Sequence, residues 1–384
     1  MKNAVIIDTF PDDIHAHSVA WSVSQNEDWE CFHIYADNFP SKSMLSIAMT
    51  MDDLMLGYEG PEAKIDLTKF DQITYIPRRC KGPRISNTVH SDDMSASYSE
   101  NISALSAFRY ILTSLPNVIS INNLASKRRA DQKPLQLYLA KKAGLVIPNS
   151  LFSNNPNDIK KMLNISSDRL AYKTYTPCTW RQEYDSSVRI FMKYTNLISK
   201  SVLSSDQVLR DTSGIFQNYI EKHFEVRLVC MGSQFFGSKI DSQKNILSKV
   251  DWRNEQEKLA VDSIKVPLGI QESMIKLMTD IGIIFCTADF IVTPEGEWIF
   301  LEVNEQGQWL WQEEACSDLP ILDAYTEFVK NPSTDFRYTT EKKIFSFEDY
   351  KRYQWNIDYQ KAIKLGYEDN GSHITLEKFI DANQ

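Results

Sequence analysis

The sequence lacks the short motifs that mark most nucleotide-binding folds and hydrolytic enzymes. It has no G-x-x-x-x-G-K-[ST] phosphate loop and no G-x-G-x-x-G dinucleotide motif, and neither G-x-S-x-G nor H-E-x-x-H occurs. These absences argue against a Walker-type nucleotide site, a serine hydrolase built on a nucleophile elbow and a zinc protease. No motif indicates a covalent enzyme intermediate.

Cysteine is scarce and scattered along the chain. Six cysteines occur in 384 residues, and no two of them form C-x-x-C. This spacing argues against a disulfide framework and against a zinc site, so the expected compartment is the reducing cytoplasm. The six positions are Cys31, Cys80, Cys178, Cys230, Cys286 and Cys316.

Two further absences bear on the partners of the protein. No run of about 18 apolar residues exists, so no membrane-spanning segment is expected, and the N-terminal residues lack the pattern of a signal peptide. The formal net charge of −9 argues against a general nucleic-acid binder. What remains is an ordinary globular composition, with 42% hydrophobic and 24% charged residues.

Short apolar runs alternate with helical patterns in the N-terminal part. This alternation predicts an open, mainly parallel sheet with a domain boundary near residues 122–126. The predicted strands are Ala4–Asp8, Cys31–Tyr35, Gln72–Ile76 and Val118–Ile121, and the predicted helices are His17–Ser24 and Ser95–Leu115.

The pattern of the remaining residues predicts three helices, three strands and two hairpins. Gly144 is expected to end the helix as its C-cap, and the aromatic residues after Pro332 predict a helical extension. The helix is Asp131–Ala143, with others at Ser205–Leu209 and Glu272–Ile281. The strands are Arg169–Thr174, Val188–Tyr194 and Ile215–Ile220, and the hairpins pair Val226–Met231 with Gln234–Ile240 and Ile283–Val292 with Trp298–Val303.

Polar side chains interrupt the last apolar strand near its end. Strict alternation places Phe300, Glu302 and Asn304 on one face, opposite Leu301 and Val303. A carboxylate and an amide two residues apart are costly to bury without a partner. This pattern therefore indicates either a ligand site or a solvated polar face.

Asp289 comes from the neighbouring strand of the same hairpin. Together with Glu302 and Asn304 it would supply three hard oxygen donors, which suit Mg²⁺. The alternative is an ordinary amphipathic hairpin, and the pattern of these residues alone does not decide between the two.

Spaced cations favour a phosphate-binding site. Lys133 lies in the first turn of a predicted helix and Lys173 near the end of a predicted strand, while Arg227 and Arg253 lie in the C-terminal part. A single cation in any of these places is usually solvated. For Arg227, which alternation puts on the face of Glu225, the alternative is a surface ion pair worth about 0–1 kcal/mol.

At these residues the sequence resembles the ATP-grasp ligases, and more narrowly the microviridin-type graspetide ligases, which cyclise ribosomal precursor peptides. The resemblance spans residues 1 to 330 in domain order and is strongest from 215 to 313. The matching stretches are Asp131–Leu137 with Gly144–Pro148, Gln217–Ile220, Glu225–Arg227, Ile240–Gln243, Asp251–Arg253, Asp289 and Phe300–Trp311.

The resemblance implies an α/β and α+β chain with the ATP-grasp fold. Its parts would be an N-terminal α/β domain (1–125), a central lid domain (126–214), a C-terminal antiparallel domain (215–330) and a C-terminal extension (331–384). It implies ATP and Mg²⁺ as cofactors and a precursor peptide with leader and core as partner, and it leaves a homodimer open. The implied site residues are Lys133, Lys173, Gln217, Tyr219 and Ile220 for the nucleotide, Asp289, Glu302 and Asn304 for the metal, and Arg227 and Arg253 for catalysis.

The implied reaction activates a peptide carboxylate as an acyl phosphate, which a hydroxyl or amine of the same peptide displaces to form an ester or amide. Two features depart from the family. The loop from Thr174 to Ser187 contains no glycine, whereas a glycine-rich flap is frequent there, and Glu305 stands where proline is frequent. Two alternatives remain open, which are a ligase for a free amino acid and a catalytically silent peptide-binding module.

Overall fold

The computed structural model divides the chain into two compact units. Met1–Leu124 with Pro320–Gln384 form the first unit, and Ala125–Leu319 form the second. The structure describes residues 2–78, 82–86, 88–175, 195–200, 205–244, 248–253, 259–340 and 343–362, and the backbone alone at 179–184 and 187–192. The predicted division into three domains and an extension stays a prediction, and its part beyond residue 362 lies outside the described residues.

The described residues form strands and helices in nearly equal share. The strands are β1 Asn3–Thr9, β2 Trp29–Tyr35, β3 Met44–Met49, β4 Leu54–Glu59, β5 Lys64–Asp66, β6 Ile73–Pro77, β7 Val118–Ser120, β8 Ser150–Ser153, β9 Leu170–Lys173, β10 Thr179–Tyr184, β11 Ser187–Met192, β12 Asn196–Ile198, β13 Gly214–Asn218, β14 Phe224–Met231, β15 Gln234–Ile240, β16 Val261–Ile264, β17 Phe285–Val292 and β18 Trp298–Asn304. The α-helices are α1 Ile14–Ser24, α2 Met94–Ser114, α3 Leu124–Ala130, α4 Lys133–Ala143, α5 Pro156–Ile165, α6 Asp206–Asp211, α7 Leu268–Ile281, α8 Leu310–Ala315, α9 Ile321–Lys330, α10 Phe347–Tyr353 and α11 Trp355–Ala362.

The first unit contains the predicted parallel sheet. Its strands lie in the order β2-β1-β6-β7, and every neighbouring pair is parallel. A second sheet, β3-β4-β5, is antiparallel and has no counterpart in the sequence prediction. Its first strand exposes Met44 and Met49 and so lacks the clean alternation that identifies a half-buried strand.

The C-terminal extension packs on helix α1 of the same unit. The indole of Trp21 makes edge-on contacts with Phe345 and Tyr350, with ring centroids 5.8 and 5.9 Å apart. The Tyr338 hydroxyl donates to Asp323 at 2.5 Å, and the backbone N–H of Phe345 donates to the same carboxylate at 3.0 Å. The described part of the extension is therefore an integral layer of this unit.

Truncation before Pro332 is expected to lower the melting temperature by on the order of 5–10 °C. The truncated chain lacks Phe345 and Tyr350, which cover Trp21, and Asp323 loses its two donors. Differential scanning calorimetry measures the change. A chain that ends at Ala362, which keeps every contact just described, is the matched control. Equal stability and activity of the two truncated chains would contradict the packing role.

The second unit is built around an antiparallel sheet of five strands in the order β16-β15-β14-β17-β18. Helices α4 and α7 cover one face of it, because their apolar sides share a core with that face. Leu139 of α4, Leu277 of α7, Leu228, Phe290 and Phe300 are among the buried members. The opposite face of the sheet is free to carry polar side chains.

A smaller antiparallel sheet in the same unit has the order β12-β9-β13-β8, and helix α5 packs on it. The single helix predicted for Asp131–Ala143 is wrong at its start, because α3 ends at Ala130 and α4 begins at Lys133. Pro134 in the first turn explains the new start, since proline is tolerated only where no helical N–H is needed. Gly144 ends α4 in the left-handed conformation, as predicted.

The predicted combination of α/β and α+β parts is confirmed, because the chain combines a parallel sheet with antiparallel sheets. Among the described residues, no helix is long and apolar enough to cross a membrane.

Candidate active site

Three charged side chains form a row across neighbouring strands of the five-stranded sheet. Arg227 on β14 lies opposite Asp289 on β17, and Asp289 lies opposite Glu302 on β18. Residues directly opposite each other in an antiparallel pair point to the same face and lie close together. The sheet therefore brings together one arginine and two carboxylates that are far apart in sequence.

A β-bulge determines which residues of β18 belong to this row. The register between β17 and β18 shifts between Asp289 and Phe290, so that Phe290 pairs with Phe300 and Asp289 pairs with Glu302. Leu301 is the extra residue, as expected for two residues facing one across the ladder. Without the shift, Asp289 would lie opposite Leu301.

The bulge also corrects the predicted faces of β18. Phe300 and Val303 both belong to the hydrophobic core, whereas Leu301 and Glu302 both line a cleft on the other face. The prediction that Phe300 shares a face with Glu302 is therefore wrong. Strict alternation fails because a bulged strand adds one residue to its side of the pairing.

Arg227 is held by Asp289. Its Nη1 lies 2.8 and 2.7 Å from the two carboxylate oxygens of Asp289, and its Nη2 lies 3.4 Å from the Gln308 carbonyl. Arg227 is only 8% exposed, and its Nε is buried with no acceptor among the residues that the structure describes. The pair is thus cross-strand and buried, unlike the surface ion pair that was the alternative for Arg227.

Glu302 is surrounded by cations. Lys133 at the start of α4 contacts its carboxylate directly. Burial by itself would raise the pKa of Glu302, but the charges of Lys133 and Lys173 outweigh it and lower the pKa to about 2. Burial also lowers the pKa of Lys173, while the charge of Glu302 acts in the opposite direction. The three side chains therefore form one electrostatic group.

Arg253 approaches the same group from a loop. Asp251 holds it through two contacts, from Nε to Oδ1 at 2.8 Å and from Nη2 to Oδ2 at 2.5 Å. Burial acts to raise the pKa of Asp251, but Arg253 outweighs it and lowers the pKa to about 2. The negative charges of Glu302 and Asp289 also raise the pKa of Arg253. Asp251 is a site residue that motif spacing alone did not assign.

These residues border a cleft with about 700 Å³ of empty space, counting the part that opens to solvent. Lys133 and Arg227 contact the lining residues Glu302 and Asp289. The lining includes Lys173, Gln217, Tyr219, Ile220, Arg253, Asp289 and Glu302.

The proposed nucleotide residues differ in how they meet the cleft. Gln217 is buried, and its Nε2 donates to Ser150 Oγ at 2.9 Å, so its side chain joins β13 to β8. Tyr219 follows the strand, with the guanidinium of Arg169 4.2 Å from its ring centre. Ile220 supplies apolar surface next to it. Gln217 is therefore better suited to shape the cleft than to bind directly through its side chain.

Asn304 lies two pairs further along the ladder than Glu302, opposite the buried Thr287. The loop after it folds back over that threonine, since a Cβ at Gly307 would lie 1.6 Å from Thr287 Oγ1. Only glycine fits there, which explains why this stretch contains one of the few glycines of the chain. Asn304 thus shares a face with Glu302 and Asp289, at the end of the row.

A buried ion pair that also lines the cleft was not predicted from the sequence. Lys222 Nζ lies 2.9 Å from Glu225 Oε1 and 3.0 Å from the Val250 carbonyl. Burial raises the pKa of Glu225, with Lys222 opposing it. Two opposite charges three residues apart look like a surface pair in the sequence, because burial leaves no local signal.

Among the described residues, no group of three or more His, Cys, Asp and Glu side chains is close enough to hold a metal ion. The candidate set has only two carboxylates, and the amide of Asn304 is its third donor. Its donors are all oxygens, and Asp289 and Glu302 are direct neighbours across the ladder. This set fits Mg²⁺, which takes one or two carboxylates together with water and phosphate oxygens.

No protein-family model and no curated protein sequence matches the chain. Solved structures are similar over most of it. A RiPP-associated ATP-grasp ligase of Chryseobacterium gregarium, in complex with ADP and a leader and core peptide, has a TM-score of 0.77 at 25% identity, covering 88% of this chain and 100% of that one. The macrocyclase MdnB of Microcystis aeruginosa has a TM-score of 0.69 at 25% identity, covering 86% and 99%.

The macrocyclase MdnC of Microcystis aeruginosa, bound with precursor peptide MdnA, shares the fold with a TM-score of 0.73 at 24% identity, covering 85% of this chain and 99% of that one. Together, these similarities show that the chain has the fold of the ATP-grasp ligases over nearly the whole length of those enzymes. Within that class it is similar to the RiPP-associated enzymes, which confirms the resemblance to the graspetide ligases inferred from the sequence.

Proposed function

We propose that this chain uses ATP to activate side-chain carboxylates of a ribosomal precursor peptide as acyl phosphates and then closes ester or amide cross-links within that peptide. The carrying observation is the cross-strand row of Arg227, Asp289 and Glu302 in a fold shared with a ligase solved with ADP and a leader and core peptide. The proposal includes the site roles of all ten residues named from the sequence.

The charge balance of the site supports a polyanionic substrate. Four cations, Lys133, Lys173, Arg227 and Arg253, lie among three carboxylates, those of Asp251, Asp289 and Glu302. The site therefore carries excess positive charge before any ligand binds. A triphosphate and a peptide carboxylate repel each other in water, and such a cluster removes that repulsion.

Each group has a role that follows from its position. Lys133 and Lys173 hold the phosphates, while Gln217, Tyr219 and Ile220 border the base. Arg227 and Arg253 hold the anionic oxygens during phosphoryl transfer, and positioning of the two reactants supplies the remaining advantage. Asp289, Glu302 and Asn304 would hold Mg²⁺, which when bound neutralises charge on the phosphate oxygens.

The reaction predicts ADP and phosphate as products, with the peptide losing one water per bond formed. The absence of an adenylating motif together with the lysine and carboxylate pattern supports this stoichiometry. Chromatography of the nucleotides and mass spectrometry of the peptide measure it, with the precursor encoded by a short neighbouring reading frame as substrate. A precursor whose Asp and Glu core residues are replaced by Asn and Gln is the control.

AMP and pyrophosphate as products, or an unchanged mass of the true precursor, would contradict the proposal. ADP release on adding free amino acids without a precursor would instead identify a free amino-acid ligase. No nucleotide turnover with either substrate would identify a silent binding module.

The proposal extends to the compartment and the assembly. The scattered cysteines support a reducing cytoplasm. A homodimer stays a hypothesis, and light scattering of the purified protein would test it.

A further inference from the structure

Strand β18 carries the candidate metal-binding residues at the edge of its sheet. One side of it pairs with β17, and no strand of the described residues pairs with the other side in the sheet. Edge strands leave backbone N–H and C=O groups that other parts of the protein must cover. Near the start of β18 the backbone of Val146 does so, since Phe300 N–H donates to the Val146 carbonyl at 2.8 Å.

The other end of that edge is covered by one side chain. Gln136 of helix α4 donates from Nε2 to the Val303 carbonyl at 3.0 Å and accepts the Val303 N–H on Oε1 at 2.9 Å. Its Nε2 also contacts the Ala130 carbonyl, at the end of α3. With 2% exposure it lies inside the protein, and its carboxamide takes the place of a neighbouring strand.

The contact joins two parts of the proposed site. Val303 stands between Glu302 and Asn304, and Gln136 stands one helical turn after Lys133. Lys133 in turn contacts Glu302. The carboxamide therefore sets the position of the phosphate-binding lysine relative to the metal-binding strand.

Only a carboxamide satisfies this position. Val303 presents both a donor and an acceptor, and glutamine offers one of each in a single plane. A methionine of similar length would leave both buried backbone groups without partners, and a carboxylate would face two carbonyl oxygens. Position 136 therefore requires the hydrogen-bonding geometry of a carboxamide, and a buried side chain of similar size is not enough.

We propose that Gln136 is a positioning residue that keeps Glu302 and Asn304 in place for a divalent cation, a role that rests on the proposed function. It touches neither substrate nor metal and acts through the backbone of Val303. Residues that orient metal ligands in this way typically change metal affinity more than they change the fold.

The test uses Mn²⁺ and ADP as probes of the full-length protein. Electron paramagnetic resonance measures Mn²⁺ binding to the ADP complex, and calorimetry measures ADP affinity in EDTA. Gln136→Met is expected to weaken Mn²⁺ binding by about ten- to a hundredfold, the usual range for residues that orient metal ligands. ADP affinity in EDTA is expected to stay near the wild-type value.

Leu139→Ala is the matched control, since Leu139 is buried in the core on the same helix. It should lower thermal stability and leave Mn²⁺ affinity unchanged. If Gln136→Met does not fold, Gln136→Asn replaces it, because its shorter amide cannot reach both backbone groups, and the same loss of Mn²⁺ affinity is expected.

Unchanged Mn²⁺ affinity in the Gln136 variant overturns the positioning role, and so does an equal loss in Leu139→Ala. The wild-type protein separates this result from failure of the proposed function. If it binds neither ADP nor Mn²⁺ with ADP, the nucleotide site itself is wrong.

Discussion

Glu302→Gln is expected to lower ligase turnover by on the order of a hundredfold or more while the protein stays folded. A neutral amide binds Mg²⁺ more weakly than a carboxylate, and losing a metal ligand costs at least as much as losing a residue that orients one. The side chain keeps its size, and it lies on the cleft face of β18 and not in the core. Steady-state peptide cyclisation across a range of Mg²⁺ concentrations measures the effect.

Glu295→Gln is the matched control, because Glu295 is exposed in the turn of the same hairpin. It should cyclise the peptide at the wild-type rate. Equal turnover of Glu302→Gln and wild type at low Mg²⁺ would remove Glu302 from the metal site.

The effect of Glu302→Gln on the free energy of unfolding is expected to depend on pH. The pKa of Glu302 in the folded protein is about 2, below its ordinary value of 4.5. Its ionised form therefore stabilises the fold fully above pH 4.5, and this contribution is lost as the pH falls toward 2. The stability difference between wild type and Glu302→Gln should be largest above pH 4.5 and disappear in acid, as urea unfolding at several pH values would measure.

Arg227→Lys is expected to reduce turnover by a factor on the order of a hundred or more, the scale of losing one donor to a transition state. An arginine can hold Asp289 through one nitrogen and still present other donors to a phosphate, whereas a lysine offers a single point charge. In the structure Nη1 binds both carboxylate oxygens of Asp289, and Nε is buried with no hydrogen-bond acceptor among the described residues.

ATP affinity should stay near the wild-type value, since the positive charge remains. A small loss of stability is expected as well, because Arg227 is buried and not on the surface. Peptide cyclisation, nucleotide calorimetry and thermal unfolding of the variant measure the three quantities.

Arg109→Lys is the matched control. Arg109 holds Asp8 through Nε at 2.6 Å and Nη2 at 2.9 Å, in the other compact unit. It should lose stability and keep its turnover. Near-normal turnover of Arg227→Lys would mean that its ion pair with Asp289 is only structural.

The sequence by itself determined much of the architecture. Apolar runs such as Ala4–Asp8 and Cys31–Tyr35 became β1 and β2, and the hairpin predicted for Ile283–Val292 and Trp298–Val303 became β17 and β18. These elements can be predicted from the sequence because buried strands need apolar residues and tight turns need particular backbone angles. Both requirements are local. The sequence also singled out the lysines, arginines and oxygen donors that the second unit brings together.

The tertiary structure decided which of these side chains meet. Alternation placed Arg227 beside Glu225, but pairing with β17 gave it Asp289 as its partner. The bulge at Leu301 brought Glu302 opposite Asp289 and returned Phe300 to the core, which no local pattern predicts. Strand register and burial depend on residues distant in sequence, so the charge row and the amide contact of Gln136 with Val303 exist only once the sheet and helix α4 have packed together.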